Sequence, residues 1–573
     1  MTGIGIHMTS QNVNTLTSED YADLLIENTD GQYLLQKFSE YSIHPINFLL
    51  SVVNVPVSFI TNQTIWEFGY SVMPSLLGLV SQASLEASGI QRLRNIPNFN
   101  LRGQGVLLGI IDSGIDYTNP IFRNEDGTTR IASIWDQSIT SANPPEGLHY
   151  GTEYTREQIN HALMSENPLA IVPSSDENGH GTMVAGIAGG KEVPRNNFYG
   201  VAPDAEFVIV KLKPAKKYLK DFFYLPENAI CFQENDIAFA LEYLLNVNSR
   251  LNRPMAICIA VDTTQGSHDG RGTLSNQVSL LAATEGIAII LSAGNEGNTR
   301  RHYYGKIDKA SGFHTVELNV GKNTAGFSME LWGQRPSTLS VDITSPSGEY
   351  KPRISAGRDE YREITFVFEN TVIYLDYQMV ESQSGDQLIL FRFSQPAPGI
   401  WKFNVYERGD LSQGFHIWLP MSGFIPEDTF FLNSNPYTTV LTVGNALVPI
   451  TVTACNTADD SLYVSASKGF TRLGETKPDI AAPGVNIIGP ALNKTFSGFS
   501  GTSVAAAHTA GVAAMLLEWG IVRGNLTTMS TIEMKKLIVR GARRELDIEY
   551  PNRDWGYGIL DIYNVFDSLR AGL

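Results

Sequence analysis

Cysteine is scarce in this chain: Cys231, Cys258 and Cys455 are the three present in 573 residues. An odd count at such wide spacing suits neither a disulfide framework nor a zinc site, and buried free thiols are the expectation. Basic runs are also missing. With a formal net charge of -17 and no Lys/Arg cluster, attraction to nucleic acid or to an anionic membrane is not what drives its function. Residues 1–30 turn polar and acidic early and lack a basic segment followed by an apolar core, so no secretory signal is visible. No apolar run long enough to cross a bilayer stands out, and there is no fixed-period repeat or low-complexity tract. The expectation is a soluble chain, not exported by the general route, with no membrane or nucleic-acid partner.

What is present is enough for large cores. Hydrophobic residues make up 43% and charged residues 18%, the balance of a folded protein, and the length predicts two or three domains. In residues 1–84, Ser18-Glu19-Asp20 is placed to cap a helix through Tyr21, Leu24, Leu25 and Ile26, and β-branched strands are predicted around Pro56. A small α+β unit follows, with a linker helix near Leu85 to Leu93. From Gly105, nearly continuous apolar runs (Val106 to Ile111, Phe207 to Leu212, Met255 to Val261, Ile287 to Leu291) alternate with helical patterns over Asn235 to Leu245 and Gln277 to Thr284. Strands buried on both faces, alternating with helices, predict a parallel α/β sheet. The pattern then breaks. Between residues 312 and 432, segments such as Thr315 to Val320, Ser340 to Ile343, Leu388 to Phe393 and Trp401 to Val405 predict an inserted all-β sandwich. Afterwards Val440 to Val443 reads as a buried strand and Gly501 to Trp519 as a helix. The predicted divisions are 1–84, 85–311, 312–432 and 433–573.

Three distant blocks carry chemistry. Ile110-Ile111-Asp112-Ser113-Gly114 puts an acid at the C-terminal end of a buried strand, where open parallel sheets hold functional groups; alone, a strand-terminal Asp followed by Gly is more often a turn or a cap. Asn178-Gly179-His180-Gly181-Thr182 puts a histidine at the mouth of a helix rich in Ala and Gly. Phe499-Ser500-Gly501-Thr502-Ser503-Val504-Ala505-Ala506 brings Ser503 to a helix N-terminus, where free N–H groups favour developing negative charge, although a serine there can simply be a cap.

Together, Asp-Ser-Gly-Ile-Asp, Gly-His-Gly-Thr-x-Val-Ala-Gly and Gly-Thr-Ser-x-Ala-Ala-x-His resemble the active-site blocks of the subtilisin-like serine peptidases, and the Asp, His, Ser order is the one known from subtilisin. The resemblance implies Asp112, His180 and Ser503 as catalytic residues and the Asn295 amide with the Ser503 N–H as the oxyanion hole. It implies a cleft edged by Ala260, Val261 and Asp262 and by Ser292, Ala293 and Gly294. Two departures stand out: Asp262 falls where the family commonly has glycine, which predicts a narrowed pocket or a preference for a basic or small side chain, and Ala507 replaces a common proline. No calcium-loop ligand set transfers, so neither metal nor cofactor is expected.

Asn295 and Ser503 stand 208 positions apart, which leaves room for the β insert. With the N-terminal unit, Gly69-Tyr70-Ser71-Val72-Met73-Pro74 and Gln265-Gly266-Ser267-His268-Asp269-Gly270, this organisation resembles the clostridial Csp spore-germination proteases and related bacterial subtilases. In that group the first unit is a prodomain and the insert a jelly roll. The resemblance implies self-processing, here near Gln82-Ala83-Ser84, and limited proteolysis of a protein zymogen such as a cortex-hydrolase precursor, in the cytoplasm or on the spore. A broad-specificity bacterial peptidase and a non-catalytic sensor or scaffold are the alternatives.

Overall fold

The computed structural model describes residues 14–28, 32–80, 82–83 and 100–570, apart from 309, 355–359, 410–412 and 457. At its centre is an eight-stranded sheet in the order Ile480–Pro483, Ile450–Cys455, Ile287–Ser292, Met255–Ile259, Leu107–Asp112, Glu206–Lys211, Ile131–Asp136, Thr152–Thr155. All neighbours are parallel except the last pair. Period-two alternation sorts each strand between two cores. Leu108, Ile110, Ala256 and Cys258 pack on the side of helices His180–Gly189 and Thr502–Leu517. Leu107, Ile111, Met255 and Ile257 pack with helices Glu234–Leu251 and Thr273–Ala282 on the other side. This is the parallel α/β sheet that the strand runs predicted, in the layered form that the resemblance to subtilisin-like peptidases implied.

Two antiparallel sheets, whose strands run from His302–Gly305 to Phe430–Phe431, lie between the two halves of the sheet sequence. Met329, Leu331, Ile373 and Phe391 of one sheet and Val316, Leu318, Val341 and Phe403 of the other share one core, so the two stack face to face.

Three local expectations differ from the structure. Tyr21–Glu27 is a strand, paired along its length with Leu50–Pro56, and not a helix. Its apolar run carries no helical period because it is buried on both faces: Ala22, Leu24 and Ile26 pack on one core and Leu25 on another. Asp23, wholly buried on this strand, is held by Lys216 Nζ at 2.7 Å and Gln233 Nε2 at 2.9 Å, and so docks the N-terminal unit on the central one. Val440 to Val443 is not a strand; the chain turns into a 3₁₀ helix at Val443–Asn445 because Asp262 captures two of its N–H groups. The helical stretch Thr502–Val522 is long and apolar enough to cross a bilayer by length and composition. It is instead the core helix, packed on the central sheet with its alanines in the core, while Gly511 lets it approach Val201 and the carbonyl of Ala188. The predicted linker helix over Leu85 to Leu93 lies outside the described residues. All three cysteines are buried and unpaired.

Candidate active site

Three element ends converge at the C-terminal edge of the sheet. Asp112 is the last residue of Leu107–Asp112, His180 the first of its helix, and Ser503 lies in the first turn of Thr502–Leu517. Gly501 makes the sharp entry to that helix with φ 145, a conformation that disfavours any side chain. The imidazole Nδ1 lies 2.7 Å from Asp112 Oδ1 and 2.9 Å from Oδ2, while Nε2 lies 3.3 Å from Ser503 Oγ. A carboxylate only accepts, so Nδ1 carries the proton and Nε2 is left to accept from the serine. Asp112 is 1% and His180 6% exposed, which keeps the line nearly dry.

Burial alone would disfavour a charged His180, but the Asp112 charge, its hydrogen bond and the charge of Asp176 outweigh that and raise the imidazole pKa above the ordinary 6.5. A base must be unprotonated, so the acid limb of kcat/KM is expected above pH 6.5. A pH–rate profile checks this, and a limb below that value contradicts it.

Asn295 Oδ1 accepts from the Thr502 N–H and Oγ1, both at 3.2 Å. Thr502 Oγ1 also accepts from the Gly294 N–H at 3.0 Å. These bonds turn the Asn295 NH₂ away from Thr502 and leave it free to serve as a donor, with the Ser503 N–H, for a developing oxyanion. Replacing Asn295 with Leu is expected to lower kcat by about 100- to 1,000-fold with KM little changed, a magnitude taken from subtilisin itself. Steady-state kinetics on a peptide substrate would read it.

Sequence reading missed the supports behind this line. Asp176 Oδ1 accepts from Ser113 Oγ and the Gly179 N–H, and its Oδ2 accepts from the N–H and hydroxyl of Thr182. One buried carboxylate thereby locks the loop that delivers His180. The signal was available: an acid four residues before the His180 that opens the helix is placed to hold the N–H groups at its start.

The cleft residues fall on two strands. Ala293 and Gly294 follow Ser292 at the end of Ile287–Ser292, beside Asn295. Ala260 precedes Val261–Asp262, which pairs with Leu76–Leu79. The carboxylate of Asp262 does not narrow the cleft. It is buried and accepts from the N–H groups of Thr263, Val443 and Gly444, while its backbone stays in register with Gly78. Burial pushes its pKa up to about 7 against those three donors. Leu76–Leu79 also pairs with Cys231–Gln233, so this strand lies between two cleft edges. Beyond it, Gln82 pairs with Ser500 and Ala83 with Phe499, directly upstream of Gly501. The described residues on either side of position 81 are thus paired with Val261–Asp262 and with the strand that leads into Gly501. Among the described residues, no group of three or more His, Cys, Asp or Glu is arranged to hold a metal.

A model of the subtilase family matches residues 103–349 and 432–558. The chain belongs to the subtilase family. The stretch between the two matched segments lies within the antiparallel sandwich. Among subtilases of solved structure, the CspB protease of Clostridium perfringens is 30% identical, with a TM-score of 0.74 over 84% of this chain and 96% of that one. C5a peptidase of Streptococcus pyogenes is 23% identical over 498 residues, 80% of this chain and 40% of the relative. A PII-type proteinase of Lacticaseibacillus paracasei is 23% identical over 544 residues, 82% of this chain and 26% of its own length. This subtilase thus spans two-fifths or less of these two curated relatives.

Proposed function

We propose that this chain is a serine endopeptidase that first cuts itself after Val80 and then acts by limited proteolysis on a protein zymogen. The observation that carries the reading is the Asp112–His180–Ser503 line, with Leu76–Leu79 paired on both sides and Gln82 and Ala83 paired with the strand that leads into Gly501. Ser503 Oγ would attack the peptide carbonyl carbon as its proton passes to His180 Nε2, and the oxyanion would take the Asn295 amide and the Ser503 N–H. Collapse expels the amine, which takes the proton from Nε2, and leaves an ester on Ser503. Water, deprotonated by the same nitrogen, then attacks the ester carbon, and as the Oγ–acyl bond breaks Ser503 Oγ takes the proton back from Nε2 and the acid leaves.

The register supports a cut in cis. Leu79 pairs with Val261 upstream and Gln82 with Ser500 downstream, so the bond after Val80 is midway along the chain between the two ladders. Val80 and Asn295 line the same cavity, of about 480 Å³. This lies two residues upstream of Gln82-Ala83-Ser84, the small-residue run favoured by sequence; residue 81 itself is outside the described residues. The N-terminal unit would then be a prodomain and a partner of its own enzyme. Likeness to a CspB protease, and the sequence features shared with germination proteases, support a spore-cortex hydrolase precursor as the zymogen.

Three measurements test this. Mass spectrometry should find a new N-terminus at Ser81 and a fluorophosphonate adduct on Ser503 in the processed protein. The processed protein should clip a cortex-hydrolase precursor at one site while leaving casein largely intact. Absence of the adduct overturns the catalytic reading; rapid casein digestion overturns the zymogen reading alone.

A further inference from the structure

The strand Leu76–Leu79 touches more than the two cleft edges. Gly78 is buried within it, in extended backbone that any residue can adopt, so glycine is not there for its conformational freedom. Space is the constraint. A Cβ at Gly78 would stand 3.0 Å from Phe424 Cζ, 3.1 Å from Phe424 Cε1 and 3.2 Å from Met421 Sδ, closer than the roughly 3.5–4.0 Å of ordinary carbon contact. Phe424 and Met421 belong to the loop after strand Phe415–Trp418 of the inserted sandwich, and they are 5% and 3% exposed. Both share an apolar cluster with Val80 and Leu441, so the ring of Phe424 has little room to retreat. On either side of Gly78 the demand reverses: Leu77 and Val80 are buried among apolar side chains.

We infer that the inserted sandwich reads the substrate: Phe424 and Met421 select glycine at the third residue before the cut bond, between apolar residues at the fourth and first. This rests on the reading above that Leu76 to Val80 lies as a substrate lies. The substrate class is then an extended protein segment of the pattern apolar-Gly-x-apolar, cut after the last of these, and a zymogen processed in trans must present one.

The test uses the full chain, followed by mass spectrometry for conversion to the processed form. Gly78→Ala is expected to slow conversion about tenfold and Gly78→Leu about 100-fold, the range that overpacking a filled site produces. Phe424→Ala added to Gly78→Ala should restore the rate to within about threefold of wild type. In trans, processed wild type should cut a quenched peptide of residues 75–84 at least about tenfold faster than the same peptide with leucine in place of glycine, and Phe424→Ala should lose that preference. Fluorophosphonate labelling of Ser503 reports whether each variant retains a formed site, and where it does not, the peptide pair on wild type decides. Equal rates for Gly78→Leu and wild type, or equal cutting of both peptides, overturn the selection of glycine. A wild-type chain that cuts neither itself nor either peptide overturns the proteolytic reading beneath it.

Discussion

A Ser503→Ala chain is expected to persist as a single species of 63.0 kDa, with turnover lower by a factor on the order of 10⁶. That size is the loss recorded in subtilisin, a member of this family, when its nucleophile is removed. The reason is that, among the described residues, the hydroxyl hydrogen-bonded to His180 Nε2 is Ser503 Oγ, at 3.3 Å, and no other hydroxyl shares that nitrogen. Ser503 is fully buried, so a methyl group in its place leaves the packing nearly intact and the loss is chemical. Intact-mass spectrometry and a peptide assay read it together. If the chain is still cut at Val80 while peptide turnover vanishes, another protease performs the cut; if turnover survives, Ser503 is not the nucleophile.

Asp112→Asn is expected to lower kcat by about 10⁴, equivalent to about 5 kcal/mol of lost transition-state stabilisation. The new amide nitrogen would donate to His180 Nδ1, where the carboxylate now accepts at 2.7 Å. The ring would then carry its proton on Nε2, facing Ser503, and could not take a second one from the hydroxyl. Geometry and fold survive this change, so an unchanged melting temperature beside the kinetic loss separates a tautomer effect from disruption. A variant retaining more than a tenth of wild-type kcat would remove Asp112 from the mechanism.

Sequence made the sheet legible because strands buried on both faces are written as unbroken apolar runs, as in Ile287–Ser292 and Met255–Ile259. The helix openings were equally readable, since Gly179-His180-Gly181 and Gly501-Thr502-Ser503 combine tight-turn glycines with reactive side chains. Where reading failed, long-range partners had taken over. Leu24-Leu25-Ile26 says only that it is buried, and the choice of strand came from Leu50–Pro56, which follows more than twenty residues later. Asp262 looks like a charge in the cleft because local sequence cannot reveal that Val443 and Gly444 will offer it their N–H groups. Asp176 had a local signal, four residues ahead of His180, but its closing contact with Ser113 spans 63 positions. Nothing in the sequence foretold that residues from the insert would come to rest beside Gly78.

That last meeting has a consequence for how the molecule melts. One apolar cluster contains Leu24 and Val53 of the N-terminal unit, Leu219 and Leu441 of the central unit, and Trp332 and Phe424 of the sandwich. None of the three can shed its share of this cluster without exposing the others' side chains to water. Calorimetry on the Ser503→Ala chain should therefore record a single endotherm, with van't Hoff and calorimetric enthalpies in agreement, where three beads on a string would give three.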